Sequence, residues 1–425
     1  MKRKLASAIV IAGMMVSVAA CGGNDGNDSK DAGPSSWKGQ TLTVWTMDGS
    51  APPQWSKDVQ AAFEKKTGAK LKFEIQKWDG IQQRITTSLS EDTPPDVLEV
   101  GNTQTAAYAS TGGLADLGDL KQSIGADWTA SVSKSSVYDG KQYAAPWYFA
   151  NRVVIYNKKI WAQAGISSTP KTRDEFLKDL ATIGKKTDAE PIYLPGQNWY
   201  FLDGLIVGQG GELVKKQGDK YVSNLADPKV AAAMEIYKKY AAYSKAPKDK
   251  DEATPQQATV FAKGKTGAFI GMGWEAATAI QANKSIEKDL GYFTIPGATA
   301  DKPEGVFLGG SNLAVAQNSK KQSLAKEFLK IALSDQYEGE LAKLSGVIPN
   351  KTSLESNLKG NAAAEAAAPA AAVGGTTPLI PEWAAVENTP NPIKSYMTAV
   401  LNGKAPAAAA KDVEGEINQR LAQQN

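Results

Sequence analysis

The chain of 425 residues has no histidine and only one cysteine, and each scarcity excludes a kind of chemistry. Without histidine there is no Ser-His or Cys-His nucleophile, and the commonest metal ligand and general base are missing. One cysteine cannot form an internal disulfide or supply a set of thiolate ligands for zinc or iron. We therefore expect no metal site and no cofactor.

An excess of charge of one sign is also missing. The formal net charge is +3, and three of the basic residues are Lys2, Arg3 and Lys4. Removal of residues 1–20 would take the net charge to zero. A near-neutral protein offers no electrostatic attraction for nucleic acid or anionic lipid. We expect no nucleic-acid partner.

The chain begins with basic residues followed by an apolar run from Leu5 to Ala20. About 20 apolar residues are needed to span a bilayer, so residues 1–20 fit a signal peptide better than a permanent anchor. Val18-Ala19-Ala20-Cys21 resembles a bacterial lipobox, which implies that Cys21 is lipidated and becomes the mature N-terminus. The alternative is a chance cysteine at an ordinary cleavage site. Residues 21–36 then form a lipidated cysteine with a flexible, polar tether.

The folded part should begin near Trp37 with alternating α and β elements. Strand patterns at 41–46, 70–75 and 96–100 are separated by helical patterns that start at Gln54 and at about Trp78. This order predicts an α/β fold with a parallel sheet and crossover helices.

Further helices are predicted from their capping residues. Thr172 with Glu175 and Ser319 with Gln322 form capping-box patterns, and Asp227-Pro228 begins another helix. The Ala-rich stretch 361–373 is interpreted as a mobile loop or helix surface rather than core.

Five segments, in this order and spacing, resemble the bacterial extracellular solute-binding proteins of ABC sugar importers. They are PPDVLEVGNTQTAAYASTGGLADL (94–117), YAAPWYFANRVVIYNKKIWAQAGISSTPKTRDEF (143–176), FAKGKTGAFIGMGW (261–274), GGSNLAVAQNSKKQSLAKEFLKIALS (309–334) and SGVIPN (345–350). Within that family, QNWYFLDGLIVGQGGEL, GWEAAT and VFLGGSNLA are similar to lipoproteins that bind N,N'-diacetylchitobiose.

The resemblance implies a periplasmic-binding-protein-like fold of type II, with two doubly wound α/β lobes joined by a hinge. Lobe one would comprise 37–147 and 306–334, and lobe two 148–305 and 335–425. It implies a monomer that is not an enzyme, that captures a disaccharide or short oligosaccharide between its lobes, and that delivers it to membrane permease subunits. The lipid on Cys21 would hold it on the extracellular face of the cell membrane.

A sugar site needs aromatic planes for stacking and polar side chains for directional hydrogen bonds, at the strand ends where open α/β sheets bind ligands. Trp199, Trp274 and Trp383 are the expected stacking platforms. Asp48, Asn102, Glu275 and Asn312 are the expected hydroxyl or acetamido partners. The remaining candidates for ligand binding are Trp45, Thr103, Gln104, Trp147, Tyr148, Asn198 and Ser311.

Competing interpretations stay open at this point. Trp55, Trp128 and Trp161 lie in helix-like apolar contexts and are expected in the core, whereas Trp147 is equally compatible with core and ligand contact. A secreted glycoside hydrolase needs neither histidine nor cysteine, and a carboxylate pair such as Asp48 and Glu275 would suit it. A structural or adhesive surface protein is a further alternative.

Overall fold

A computed structural model describes residues 37–423 of the chain. The predicted signal peptide, the predicted lipidation site at Cys21 and the predicted tether lie outside the described residues. No helix in the described part is both long and apolar enough to cross a membrane.

Helices and strands alternate through most of residues 37–423. The strands are β1 Thr41–Met47, β2 Lys70–Gln76, β3 Val97–Gly101, β4 Val137–Tyr138, β5 Lys141–Gln142, β6 Ala144–Ala150, β7 Val153–Asn157, β8 Val214–Gln217, β9 Lys220–Ser223, β10 Ala268–Gly271, β11 Leu290–Phe293, β12 Pro296–Thr299, β13 Lys302–Pro303, β14 Gly309–Val315 and β15 Ile348–Pro349. The α-helices are α1 Pro53–Thr67, α2 Ile81–Leu89, α3 Thr105–Ser110, α4 Gly118–Ile124, α5 Ala130–Ser133, α6 Lys158–Gln163, α7 Arg173–Lys186, α8 Trp199–Gly208, α9 Pro228–Ala241, α10 Gln257–Phe261, α11 Gly273–Ala282, α12 Gln322–Ala332, α13 Asp335–Ser345, α14 Ala362–Ala371, α15 Trp383–Glu387, α16 Pro392–Leu401 and α17 Pro406–Leu421. Short 3-10 helices cover Lys134–Ser136, Lys284–Asp289 and Thr352–Leu358.

The first lobe is built on a six-stranded sheet in the order β15-β6-β14-β3-β1-β2. β1 pairs in parallel with β2 and β3, as the sequence predicts for strands joined by crossover helices. β14 runs antiparallel to β3 and β6. Consecutive strands joined by a crossover helix run parallel, but β14 returns from the other lobe without such a helix. It can therefore run antiparallel to its neighbours.

The second lobe has a smaller antiparallel sheet, β10-β7-β11. Residues 190–193 extend it through parallel bridges to Thr266 and Phe269. Helices α7, α8, α9, α16 and α17 bury their apolar faces in the same large core as β7 and β10. The α/β fold with two lobes is therefore confirmed.

The two lobes are joined by chain segments at 150–153, 305–309 and near 350. α13 and β15, which the sequence-based division assigns to lobe two, contact elements of the first lobe: Trp55 Nε1 donates to the Tyr337 carbonyl at 2.9 Å, and β15 pairs with β6. We therefore propose a boundary near residue 350 rather than after 334.

Most of the local predictions are confirmed, and two are wrong. The capping box of Thr172 and Glu175 and the Asp227 cap are present. Ser319 caps no helix, because its hydroxyl donates to Asp96 at 2.7 Å and α12 begins at Gln322. The Ala-rich stretch forms α14, which buries one face in the second core, since alanine lets helix and sheet approach closely.

Candidate functional site

Polar side chains meet at one edge of the first sheet, where β1 and β3 end and β14 begins. Ser311 donates to Glu99 Oε1 at 2.6 Å and Tyr148 donates to the same oxygen at 3.0 Å. The Met47 amide donates to Glu99 Oε2 at 2.6 Å, and Ser50 lies 2.9 Å from the Tyr148 hydroxyl. We call Glu99, Ser50, Tyr148 and Ser311 the Glu99 cluster.

The Glu99 cluster is enclosed and satisfied. Burial raises the pKa of the Glu99 carboxyl, and the hydrogen bonds from Met47, Ser311, Ser50 and Tyr148 oppose that shift. Burial, and then the charge of Glu99, raise the pKa of Tyr148 well above its usual value. Both carboxyl oxygens of Glu99 have donors, so this cluster ties β1, β3, β6 and β14 together.

Helix α8 places a second group of side chains in the other lobe. Asn198 caps the helix by accepting from the Phe201 amide at 3.3 Å. Two glycines let α8 lie directly on the segment that crosses between the lobes. A Cβ on Gly204 would lie 2.8 Å from Val306 Cα, and one on Gly208 would lie 3.0 Å from the Gly305 amide nitrogen. Residues larger than glycine at either position would push the helix away.

This close packing builds an aromatic stack beside the crossing. The Tyr200 ring lies on Phe307 with centroids 4.4 Å apart and planes 16° apart. The Trp199 and Tyr200 ring centroids are 3.9 Å apart, and Trp383 lies 6.5 Å from Trp199 on the core side. Stacked faces of this kind match the apolar face of a sugar ring.

Charged groups surround the aromatic stack. Arg152 forms an ion pair with Glu252, with 2.6 Å between Nη2 and Oε1, and its guanidinium carbon lies 5.4 Å from the Tyr200 centroid. Tyr200 donates its hydroxyl proton to Glu387, the last residue of α15. Asp203 lies three residues after Tyr200 in α8 and is 3% exposed. We call Tyr200, Asp203, Glu387, Arg152 and Glu252 the interlobe cluster.

Glu387 is the group that reaches the first lobe. Burial raises the pKa of its carboxyl, and the Tyr200 hydroxyl and the nearby Thr103 side chain partly offset that shift. Burial, and then the charge of Glu387, raise the pKa of Tyr108, which belongs to α3 of the first lobe. The Glu387 carboxylate therefore lies where the lobes face each other.

Asp203 has the most perturbed environment of the cluster. Burial, and then the charge of Glu387, raise the pKa of its carboxyl to about 8, with Arg152 partly opposing the shift. A carboxyl held in this way is protonated over much of the neutral range. Perturbed carboxyls of this kind concentrate at functional sites.

Three residues of the interlobe cluster have a buried polar atom that lacks a hydrogen-bond partner among residues 37–423: Arg152 Nε, Asp203 Oδ2 and Glu387 Oε2. The elements that carry the cluster add Asn198 Nδ2, Glu382 Oε2 and Trp383 Nε1, and other such atoms lie elsewhere in the described chain. Native proteins rarely leave buried donors and acceptors unpaired, because each costs free energy. This mixture of donors and acceptors beside aromatic faces suits a ligand that carries hydroxyl and amide groups.

Several predicted partners are occupied by internal hydrogen bonds. Asn102 donates to the Leu308 carbonyl at 2.8 Å, and Asn312 donates to Thr105 at 2.9 Å. Glu275 accepts from the Met272 amide at 2.7 Å and from Gln257, and burial raises the pKa of its carboxyl to about 7. These three side chains hold elements together in this structure.

The predicted aromatic platforms differ widely in exposure. Trp274 is 57% exposed, whereas Trp199 is 5% exposed and Trp383 is fully enclosed. Trp147 is also fully enclosed, with its ring 5.3 Å from that of Trp55, so we interpret it as core and drop it from the site. Trp55, Trp128 and Trp161 are buried, as expected.

The remaining candidates line the edge of the first lobe. Asp48 is exposed, Gln104 is half-buried and accepts from Tyr108 at 3.0 Å, and Thr103 lies near Glu387. Trp45 is buried, with its indole nitrogen donating to Glu74 at 2.9 Å and Arg84 over its ring.

Sequence reasoning did not place Glu387, Phe307, Glu252 or Asp203 in the sugar site. One signal was available: Asp203 follows Tyr200 by three residues, which places both on the same side of a helix. Trp78 was also missed. It is 45% exposed and lies beside Gly101 at the end of β3. Among the described residues, no group of three or more His, Cys, Asp or Glu side chains could hold a metal ion.

Comparison with known proteins gives a family match and a relative of high identity. The family model for bacterial extracellular solute-binding proteins matches residues 48–339. The chain is 75% identical over 424 residues to the diacetylchitobiose binding protein DasA of Streptomyces coelicolor, with all of both chains covered.

Solved structures with low identity show the same fold. The sugar-binding protein MalE of Xanthomonas citri matches with a TM-score of 0.78 at 21% identity, covering 90% of this chain and 98% of that one. The GacH receptor of Streptomyces glaucescens matches with a TM-score of 0.76 at 23% identity, covering 91% and 100%. The type II binding-protein fold expected from the sequence is confirmed.

Proposed function

Because the chain belongs to the bacterial extracellular solute-binding protein family, we propose that it captures N,N'-diacetylchitobiose between its lobes and delivers it to the permease of an ABC importer. The observation that carries the ligand assignment is the 75% identity over the full length of a relative named for binding diacetylchitobiose. Sugar capture and partnership with an ABC transporter follow from the family.

The hydrolase alternative is not supported, since the family and its relatives are binding proteins rather than enzymes. A glycoside hydrolase needs two carboxyls that face the scissile bond. Glu275 is bonded to Met272 and Gln257 at the start of α11, and Asp48 is exposed at the end of β1.

The ligand site that we propose is the interlobe cluster together with its aromatic stack. Tyr200, Phe307 and Trp199 would supply ring faces, and Glu387, Asp203 and Thr103 would bond hydroxyl and acetamido groups. Exposed Trp274 and Asp48 would contact the ligand nearer to solvent. The support is that Arg152, Asp203 and Glu387 each have a buried polar atom without a hydrogen-bond partner beside the aromatic stack.

The mechanism is capture without chemistry. An open form admits the sugar, and closure brings Thr103 of one lobe to Glu387 of the other, so that the contacts are complete only in the closed form. A permease that binds the closed form would then distinguish loaded from empty protein.

Calorimetry of the purified protein with N,N'-diacetylchitobiose, cellobiose and maltose tests this proposal. We expect the acetamido sugar to bind most tightly and to raise the melting temperature as its concentration exceeds Kd. Absence of binding and of any thermal shift with N,N'-diacetylchitobiose would overturn the ligand assignment. Tight binding of maltose alone would reassign the sugar.

We further propose that Cys21 is lipidated, that the lipid holds the protein on the extracellular face of the membrane, and that the protein acts as a monomer. Incorporation of a labelled fatty acid into wild type but not into Cys21→Ser tests the anchor. Light scattering with and without sugar tests the monomer. Label that persists in Cys21→Ser, or a mass that corresponds to two chains, would contradict these proposals.

A further inference from the structure

Two buried carboxyls of the interlobe cluster have oxygen atoms without partners. Asp203 is 3% exposed, and its Oδ2 has no hydrogen-bond partner among residues 37–423. Glu387 uses Oε1 to accept from Tyr200, while its Oε2 likewise has no partner. Tyr200, which donates to Glu387, lies three residues before Asp203 on the same side of α8, and this places the two carboxyls in one cluster. Two adjacent acids with unpaired oxygens need either a shared proton or a cation.

Among residues 37–423, no basic side chain pairs with the free oxygens of Asp203 and Glu387. Arg152 is the nearby basic group, and its guanidinium is paired with Glu252 at 2.6 Å. With Glu252, the interlobe cluster holds three carboxyls and one guanidinium. A metal ion is a poor fit, since in residues 37–423 no three or more Asp, Glu, His or Cys side chains are arranged so that they could hold one. An ammonium group is a better fit, because it carries three donors and a single charge.

A ligand can reach this pair from the space between the lobes. Glu387 and Tyr200 are half-buried rather than fully enclosed, and Thr103 of the first lobe approaches Glu387 from the opposite side. The stacked Tyr200 and Phe307 rings stand next to the acids. A ring that carries an amine could therefore lie on the aromatic stack while its nitrogen meets the carboxyls.

We propose that Asp203 and Glu387 bind the protonated amine of a glucosamine ring, so that the protein captures N-deacetylated β-1,4-linked disaccharides in addition to the acetylated one. This inference rests on the proposed function, since it assigns a second substrate class to the same site. Charge-assisted hydrogen bonds to two carboxylates would distinguish the amine from the hydroxyl of a glucose ring.

Protons should leave when the amine binds. The charged and titratable groups that face the pair are Arg152, Glu252, Tyr200 and, from the first lobe, Tyr108. Burial raises the pKa of Asp203 to about 8 in their presence. An adjacent ammonium would lower that pKa and release the proton from Asp203. A neutral sugar would not do so.

The test compares three β-1,4-linked disaccharides by calorimetry with the full protein: the glucosamine disaccharide, N,N'-diacetylchitobiose and cellobiose. Cellobiose is the matched control, because it carries hydroxyls where the first sugar carries amines. We expect the glucosamine disaccharide to bind at least about tenfold more tightly than cellobiose. Titration in two buffers of different ionisation enthalpy should show proton release with the amine only.

Two conservative variants locate the effect. Asp203→Asn and Glu387→Gln should each bring the ratio of the two affinities towards one, and Glu414→Gln on the exposed face of α17 should leave it unchanged. If a variant does not fold, the comparison of sugars on wild-type protein still decides.

This inference is overturned if the glucosamine disaccharide does not bind, or if it binds no more tightly than cellobiose. It is also overturned if the preference for the glucosamine disaccharide over cellobiose persists in both Asp203→Asn and Glu387→Gln. Binding of N,N'-diacetylchitobiose without binding of the amine overturns the inference alone. Failure to bind N,N'-diacetylchitobiose overturns the proposed ligand instead.

Discussion

Glu99 and Asp203 are both almost fully buried acids near the junction of the lobes, yet their surroundings differ. Glu99 is bonded to the Met47 amide, Ser311 and Tyr148, so both of its oxygens are used. Asp203 has an oxygen without a partner, and so does its neighbour Glu387. A satisfied buried carboxyl supports the fold, whereas an unsatisfied one is available to a ligand. Burial by itself does not distinguish these roles.

Among substitutions of these acids, the largest expected effect is a loss of stability when Glu99 is removed. Glu99→Ala removes the acceptor of the Met47 amide, Ser311 and Tyr148, so we expect the free energy of unfolding to fall by about 3–5 kcal/mol. Urea denaturation measures it. Asp203→Asn is the matched control, and we expect it to be as stable as wild type or more so at neutral pH. A loss below about 1 kcal/mol in Glu99→Ala would mean that the Glu99 cluster is not a structural tie.

The pH dependence of stability gives the next effect. The pKa of Asp203 is about 8 in the folded protein and near 4 when unfolded. Between those values the folded state holds a proton that the unfolded state has lost, so this group makes stability fall as pH rises from about 4 to about 8 and adds no slope above that.

We therefore expect Asp203→Asn to gain stability relative to wild type across that window, by on the order of a few kcal/mol. Thermal denaturation over a pH series measures the difference. Asp219→Asn, on the exposed turn between β8 and β9, is the control, and its stability should change with pH in the same way as that of wild type. A constant difference between Asp203→Asn and wild type would show that Asp203 does not titrate in this range.

The third expected effect is on the affinity for sugar when Glu387, an acid with an unpaired oxygen, is substituted. Glu387→Gln keeps the size of the side chain but weakens its bonds to sugar hydroxyls, so we expect Kd for N,N'-diacetylchitobiose to rise about tenfold, which is roughly 1.4 kcal/mol. The melting temperature without sugar should hardly change. Calorimetry with Glu414→Gln as control checks this. Unchanged affinity would remove Glu387 from the proposed site.

The smallest effect is expected at the exposed platform. Trp274→Ala should weaken sugar binding by about 1 kcal/mol, because a ring that is 57% exposed gains less on stacking than an enclosed one. Its stability should match that of wild type. Trp78→Ala removes an exposed ring from the first lobe, and its sugar affinity is compared with that of Trp274→Ala in the second lobe. Equal affinity of Trp274→Ala and wild type would exclude the stacking role.

Local patterns in the sequence predicted much of this fold. Alternation of apolar residues located β1, β2 and β3, and the capping box at Thr172 located the start of α7. These signals involve residues within a few positions of each other. Ser319 shows their limit, because its hydroxyl bonds to Asp96, which is 223 positions away, instead of capping α12.

The site residues were harder to predict for the same reason. Asn102, Glu275 and Asn312 have the polar groups that a sugar requires, but in the structure those groups bond to distant parts of the chain. Trp147 has the ring that a sugar requires, but it packs against Trp55. Residue type indicates what a side chain can bind and does not indicate whether it is already engaged.

The sequence by itself determined the two-lobed α/β class, the core positions of Trp55, Trp128 and Trp161, and the family, because periodicity, caps and ordered motifs involve residues in chain order. Only the tertiary structure decided which acids are satisfied. Glu99 meets Ser311 across 212 positions, and Glu387 of α15 meets Tyr200 and Thr103. Such contacts depend on how strands and crossings bring remote segments together, and the cost of an unpaired buried group then separates structural acids from candidate ligand-binding acids.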